Sequence, residues 1–97
     1  MSRAIVGLCI VEFHLPGVSS LKEKRSILKS MLARMHNAFN ITAAEIDYQD
    51  KWRSSIIAFA IVSNSSTHVN QVANKTISWI ESRYPEALII DQQMEVL

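Results

Sequence analysis

The stretch His14-Leu15-Pro16-Gly17-Val18-Ser19-Ser20-Leu21-Lys22-Glu23-Lys24-Arg25 changes hydrophobic period partway along, and that change decides the fold. Upstream of it, Ala4 to His14 alternates and is rich in Ile, Val and Leu, which is the pattern of a β-strand. Pro16 and Gly17 then break the chain. Downstream, Ser20 is a good N-cap and Glu23 three positions later completes a capping box, so a helix is expected from about Leu21 to about Phe39. Leu21, Leu28, Met31, Leu32, Met35 and Phe39 fall on one side of it as an apolar stripe.

The rest of the chain repeats the switch. Asn40 can end the helix, and Ile41 to Tyr48 reads as a second strand with Glu45, Asp47 and Gln49 on one parity. Gln49 to Arg53 is a polar hairpin loop, and Ile56 to Val62 is an unbroken apolar strand expected at the centre of a sheet. Ser65 or Ser66 starts a second helix through about Arg83, with Val69, Val72, Ala73, Thr76, Ile77 and Ile80 inward. Pro85 ends that helix, and Ala87 to about Glu95 is the last strand. The order βαββαβ predicts an α+β, ferredoxin-like two-layer sandwich. Right-handed crossovers give an antiparallel sheet of order 4-1-3-2.

A chain of 97 residues accommodates a single domain over 1–97 and buries enough surface to need no staple. No apolar run approaches the roughly 20 residues of a membrane span, and the first ten residues lack a basic segment followed by a cleavage site, so a cytoplasmic protein with no membrane partner is expected. Cys9 is the only cysteine, which rules out an intramolecular disulfide and a cysteine zinc cage and reads as a small core residue. His36 and His68 are too scattered to suggest a metal, and no cofactor is expected. The net charge of +1 is not the footprint of a strongly basic nucleic-acid binder. Distribution matters more, because Lys22, Lys24, Arg25, Lys29 and Arg34 gather half of the ten Lys and Arg residues into one segment.

The expected topology places His14, Pro16, Ser20 to Arg25, Tyr48, Gln49, Asp50 and Trp52 at one edge of the sheet. A helix start flanked by Ser19, Ser20, Lys22 and Arg25 is a candidate anion pocket. At about 100° per residue, Lys22, Arg25, Lys29 and His36 share an outward strip that can track a nucleic-acid backbone or serve as an ordinary solvated face. Trp52 is either a lid over the core edge or a stacking platform. Lys24 projects instead into the apolar arc between Leu21 and Leu28, where a structural ion pair with Asp50 or Asp47 is expected. His14, Lys24, Gln49 and Asp50 thus form an edge cluster for which binding and structural roles both remain open.

His14 with a carboxylate from Glu12 or Asp47 would be the basis of a hydrolase, but no nucleophile motif or phosphate loop accompanies it, and no catalytic residue is assigned. On the sheet face away from the helices, Leu8 and Ile10 are expected beside Ala58 and Ala60, an apolar surface suited to homo-oligomerisation or a protein partner. RNA stacking on that face is not favoured, because it offers few aromatics.

His14-Leu15-Pro16-Gly17, the run Ser20 to Arg25, Gln49-Asp50 with Trp52, and Val62-Ser63-Asn64 together resemble the YlxP-like bacterial proteins over the whole chain. The sequence departs from the pattern at Tyr48, where many members are expected to carry His before Gln49-Asp50. That departure argues against a mechanism needing a hairpin histidine. The resemblance implies a ferredoxin-like domain of unsettled function in a family often encoded among translation and ribosome-assembly factors. It favours RNA or a ribosomal particle as partner and supplies no active site.

Overall fold

The computed structural model describes residues 3–97 and has the element order expected from the two period switches. Strand β1 (Ile5–His14) leads into α1 (Leu21–Ala38), followed by β2 (Thr42–Asp47), β3 (Ser54–Ser63), α2 (Ser66–Arg83) and β4 (Leu88–Val96). The four strands form one sheet in the order β2-β3-β1-β4, with every neighbouring pair antiparallel. This is the ferredoxin-like arrangement, an α+β sandwich of one helical layer on one sheet.

Local chemistry sets the boundaries. Ser20 caps α1 by accepting the Glu23 N–H at 3.1 Å, and Ser65 caps α2 by accepting the His68 N–H at 3.3 Å. The Glu23 carboxylate reaches one residue further out than in a capping box: it accepts from the backbone N–H and the hydroxyl of Ser19, at 3.3 and 2.9 Å. β3 begins two residues earlier than its apolar run, because Ser54 and Ser55 continue the ladder opposite His14 and Phe13.

Alternation along β1 sends Gly7, Cys9, Val11 and Phe13 inward and leaves Val6, Leu8 and Ile10 on the open face. The core joins that inner set to Ile57, Phe59 and Ile61 of β3, Leu28, Met31 and Met35 of α1, and Val69, Ala73 and Ile80 of α2. Each fully buried Val, Leu, Ile, Phe or Met among them contributes about 1.5–3 kcal/mol. Trp79 ties the two helices together, packing edge-on against Phe39 and tilted against Tyr84, whose hydroxyl lies 3.0 Å from Ser30 Oγ.

Gly7 sets how closely α2 approaches β1. A methyl group at that position would lie well inside van der Waals contact of Val69 Cγ1. Gly7→Ala is therefore expected to destabilise the protein by about 1–3 kcal/mol in urea unfolding, with Val69→Ala in the same chain recovering part of the loss by vacating the space.

Candidate functional site

The edge predicted from topology is assembled around Lys24, which is fully buried. Its ammonium has three N–H groups and meets three close acceptors: the Tyr48 carbonyl at 2.6 Å, the Ser54 carbonyl at 3.0 Å and Glu45 Oε2 at 3.0 Å. The Gln49 carbonyl lies at the outer limit, 3.5 Å away. Glu45 is itself held, since the buried Ser55 hydroxyl donates to the same Oε2 at 2.6 Å. One side chain of α1 thus fastens β2, the hairpin and the start of β3.

The expected ion pair exists, with a different carboxylate. Asp50 and Asp47 do not hold Lys24; Glu45 does. The cause is a register shift between Glu45 and Asp47, which leaves Ile46 as the extra residue. Glu45 pairs with Ile57 on the inner face, whereas Asp47 pairs with outward Ile56 and accepts the Tyr48 N–H at 2.7 Å. Asp50 is almost fully exposed and lies 3.7 Å from Arg25, itself well exposed.

The loop itself is tightly specified. Tyr48 has φ 64°, the left-handed region, which is unusual for a residue with a bulky side chain. Its carbonyl accepts from Lys51 N–H at 3.0 Å as well as from Lys24, and its ring lies 4.2 Å below the Lys51 ammonium. Arg53 ties the loop to the β1–α1 connection: its Nε donates to the Val18 carbonyl at 3.0 Å, and its own carbonyl accepts from Leu15 N–H at 2.9 Å. His14 Nδ1 lies 3.1 Å from the same carbonyl, so that nitrogen carries the proton and donates.

The remaining sequence candidates separate by environment. Lys22, Arg25 and Lys29 are exposed on α1, and Trp52 is 51% exposed in the hairpin loop. Ser19 donates its N–H and hydroxyl to the Glu23 carboxylate, and the Ser20 hydroxyl accepts the Glu23 N–H, so both side chains are engaged at the helix start. Gln49 is exposed and contributes its backbone carbonyl to Lys24. His36, at the far end of the strip, uses Nε2 to accept the Ala43 N–H of β2 at 3.0 Å. Cys9 is buried, and burial pushes its thiol above the ordinary range, away from the reactive thiolate. Among the described residues, no three His, Cys, Asp or Glu side chains are grouped to hold a metal ion, and no helix is long and apolar enough to cross a membrane.

Two residues of this site, Glu45 and Ser55, escape a reading of charge clusters. Strand alternation was the available signal, since Glu45 shares parity with inward Ala43 and therefore faces the helical layer.

Residues 6–94 match the family described as "Protein of unknown function (DUF503)". The chain belongs to that family. It is also 35% identical over 82 residues to "Uncharacterized protein YlxP" of Bacillus subtilis (strain 168), a match covering 84% of this chain and 88% of the relative. The expected YlxP-like membership holds. Among solved structures, the "De novo designed protein Foldit4" superposes with a TM-score of 0.57, covering 98% of this chain and 97% of the design at 7% identity. At that identity the likeness concerns the fold alone.

Replacing the clamp tests its contribution. Lys24→Met leaves Glu45 and the hairpin carbonyls without their partner and is expected to lower stability by roughly 3–5 kcal/mol. Calorimetry would register this as a fall in thermal midpoint of more than about 10 °C. Glu45→Gln in the same chain should restore part of it, because Ser55 keeps an acceptor and no uncompensated carboxylate remains. An unchanged midpoint in Lys24→Met would refute the clamp.

Proposed function

We propose that this protein is a non-enzymatic accessory factor that binds RNA or a ribonucleoprotein, such as a ribosomal particle, through the outward face of α1 and the adjoining hairpin. The observation that carries the reading is the placement of three exposed cations, Lys22, Arg25 and Lys29, on one helix beside an exposed Trp52 whose loop is fixed from beneath by Lys24. Cations in a row neutralise phosphates, and an aromatic on a rigid loop offers a base a stacking surface. Because the Ser19 and Ser20 side chains are already engaged with Glu23, phosphate contact is assigned to the three cations. Recognition of this kind is electrostatic and tolerant of sequence.

Three phosphate contacts to a single strand imply an affinity that falls with about the second power of salt, roughly 20-fold between 50 and 200 mM. Fluorescence anisotropy with a labelled single-stranded RNA is expected to show that slope and to lose binding when Lys22, Arg25 and Lys29 are replaced by Glu. Trp52→Ala should weaken binding by about 1–3 kcal/mol. In cells, the tagged protein should sediment with ribosomal particles at low salt and leave them at high salt. Affinity indifferent to salt, or unaltered by the triple charge reversal, rules the mechanism out.

A second reading, an interaction module, is favoured by a shallow apolar furrow on the open sheet face, lined by Leu8, Thr42, Ala44, Ala58 and Ala60. Small side chains on β2 and β3 lie beside the larger Leu8 and Ile10, a relief into which a partner's side chains fit. Leu8→Glu or Ile10→Glu should abolish such an association while leaving RNA binding intact.

A further inference from the structure

The two edges of the sheet are built differently. At the β2 edge the strand has six residues, is bulged at Ile46, and has the outward N–H of Ala43 capped by His36. These are the usual protections against strand pairing. β4, at the other edge, has nine residues, LIIDQQMEV, with no Pro, Lys or Arg; its own register shift lies near its start, at Ile90, and leaves Asp91 to Val96 in regular pairing with β1.

The hydrogen-bond phase of β4 shows which groups are free. Val6 and Leu97 exchange both backbone bonds, at 3.1 and 2.7 Å, so by alternation Glu95 and Gln93 direct their N–H and C=O groups at β1. Val96, Met94 and Gln92 therefore direct theirs away from the sheet. The side chains of those same residues lie on the helical side, where α2 stops short of covering them. Met94 is 36% and Val96 48% exposed, beside a groove of about 120 Å³ bounded by Val11, Ala73, Ile77 and Met94.

The geometry points to β4 as the pairing edge of a homodimer, in which two β4 strands run antiparallel about a two-fold axis at Met94 and join two four-stranded sheets into one. A second copy fits because the strand is complementary to itself in that register. Residues facing each other across an antiparallel pair share a sheet face, and the outer face of β4 reads Asp91, Gln93, Glu95. An axis at Gln93 would set Asp91 against the partner's Glu95 twice, a repulsive arrangement. An axis at Met94 sets Gln93 against the partner's Glu95 twice, where an amide donates to a carboxylate. It also places Gln92 opposite the partner's Val96 and brings the two Met94 side chains together on the helical side, covering the groove. The free N–H and C=O groups of Gln92, Met94 and Val96 are the ones this register pairs. The inference is independent of RNA binding, because α1 packs on the β2 side of the sheet and stays open in such a dimer.

Analytical ultracentrifugation from micromolar to millimolar concentration tests it. The wild-type chain is expected to be a dimer and Met94→Pro a monomer with unchanged circular dichroism, since proline there removes an N–H that has no partner within the sheet. Two surface variants test the register should the proline variant misfold. Gln93→Glu, which faces the partner's Glu95, should weaken the dimer about 2- to 30-fold, and Gln93→Lys should tighten it over a similar range. A wild-type monomer at all concentrations overturns the proposal, as does a dissociation constant unmoved by both Gln93 variants. A dimer kept in Met94→Pro but lost in Leu8→Glu would assign association to the open sheet face and overturns it equally. Loss of RNA binding in the α1 variants should leave the dimer unchanged, which separates the two readings.

Discussion

A single ammonium group, that of Lys24, holds the functional edge of this protein in shape. Its three protons meet acceptors on three separate pieces of chain: the hairpin loop, the first residue of β3 and the inner face of β2. An apolar residue at the same point of α1 would pack against the core but could not satisfy the Tyr48 and Ser54 carbonyls, which a tight loop turns toward the helix. Buried ion pairs are often no more stabilising than well-packed apolar groups of the same size. What they add is direction, because hydrogen bonds hold only in one geometry. Here that geometry sets the height and orientation of the loop carrying Lys51, Trp52 and Arg53 above the end of α1.

The division of labour within Ser20 to Arg25 follows from that clamp. Ser20 and Glu23 are used in starting the helix, Leu21 and Lys24 turn toward the interior, and Lys22 and Arg25 remain outside. The Glu23 carboxylate bonded to Ser19 places a negative charge at the helix start, which disfavours a visiting phosphate there. Contacts then depend on long, mobile cations, which read charge density more than shape. Arg25 in addition shares its charge with Asp50 across 3.7 Å of solvent-exposed space, a pairing weak enough for a polyanion to displace.

Most of the architecture was legible because each element carries its own punctuation. Ser20 and Ser65 begin helices, Pro16-Gly17 and Pro85 end elements, and the alternation of β1 separates Cys9 and Val11 from Leu8 and Ile10. The position of Lys24 in the apolar arc was likewise sufficient to predict a buried ion pair. Its partner was not legible, because the register shift at Ile46 changes the face of every later residue in β2, and nothing in Ala44-Glu45-Ile46-Asp47 announces a bulge. The same limit applies to Ser19. Its hydroxyl looked free to receive an anion, and only the reach of the Glu23 side chain shows it already engaged. Period and punctuation are local properties, whereas a one-residue slip and a side-chain rotamer are set by the packing around them.

The strand order also bears on how the chain is made. β1 is the first strand to leave the ribosome, yet it lies inside the sheet between β3 and β4. Its neighbour β3 arrives only after α1 and β2 have been synthesised, and β4 only after α2. The helices can form early, but the sheet they cover cannot close until β4 has emerged, and such distant pairings close slowly. Until then the apolar strand at its centre has one hydrogen-bonding edge unfilled. The nascent chain therefore carries that edge open from the emergence of β1 to that of β4.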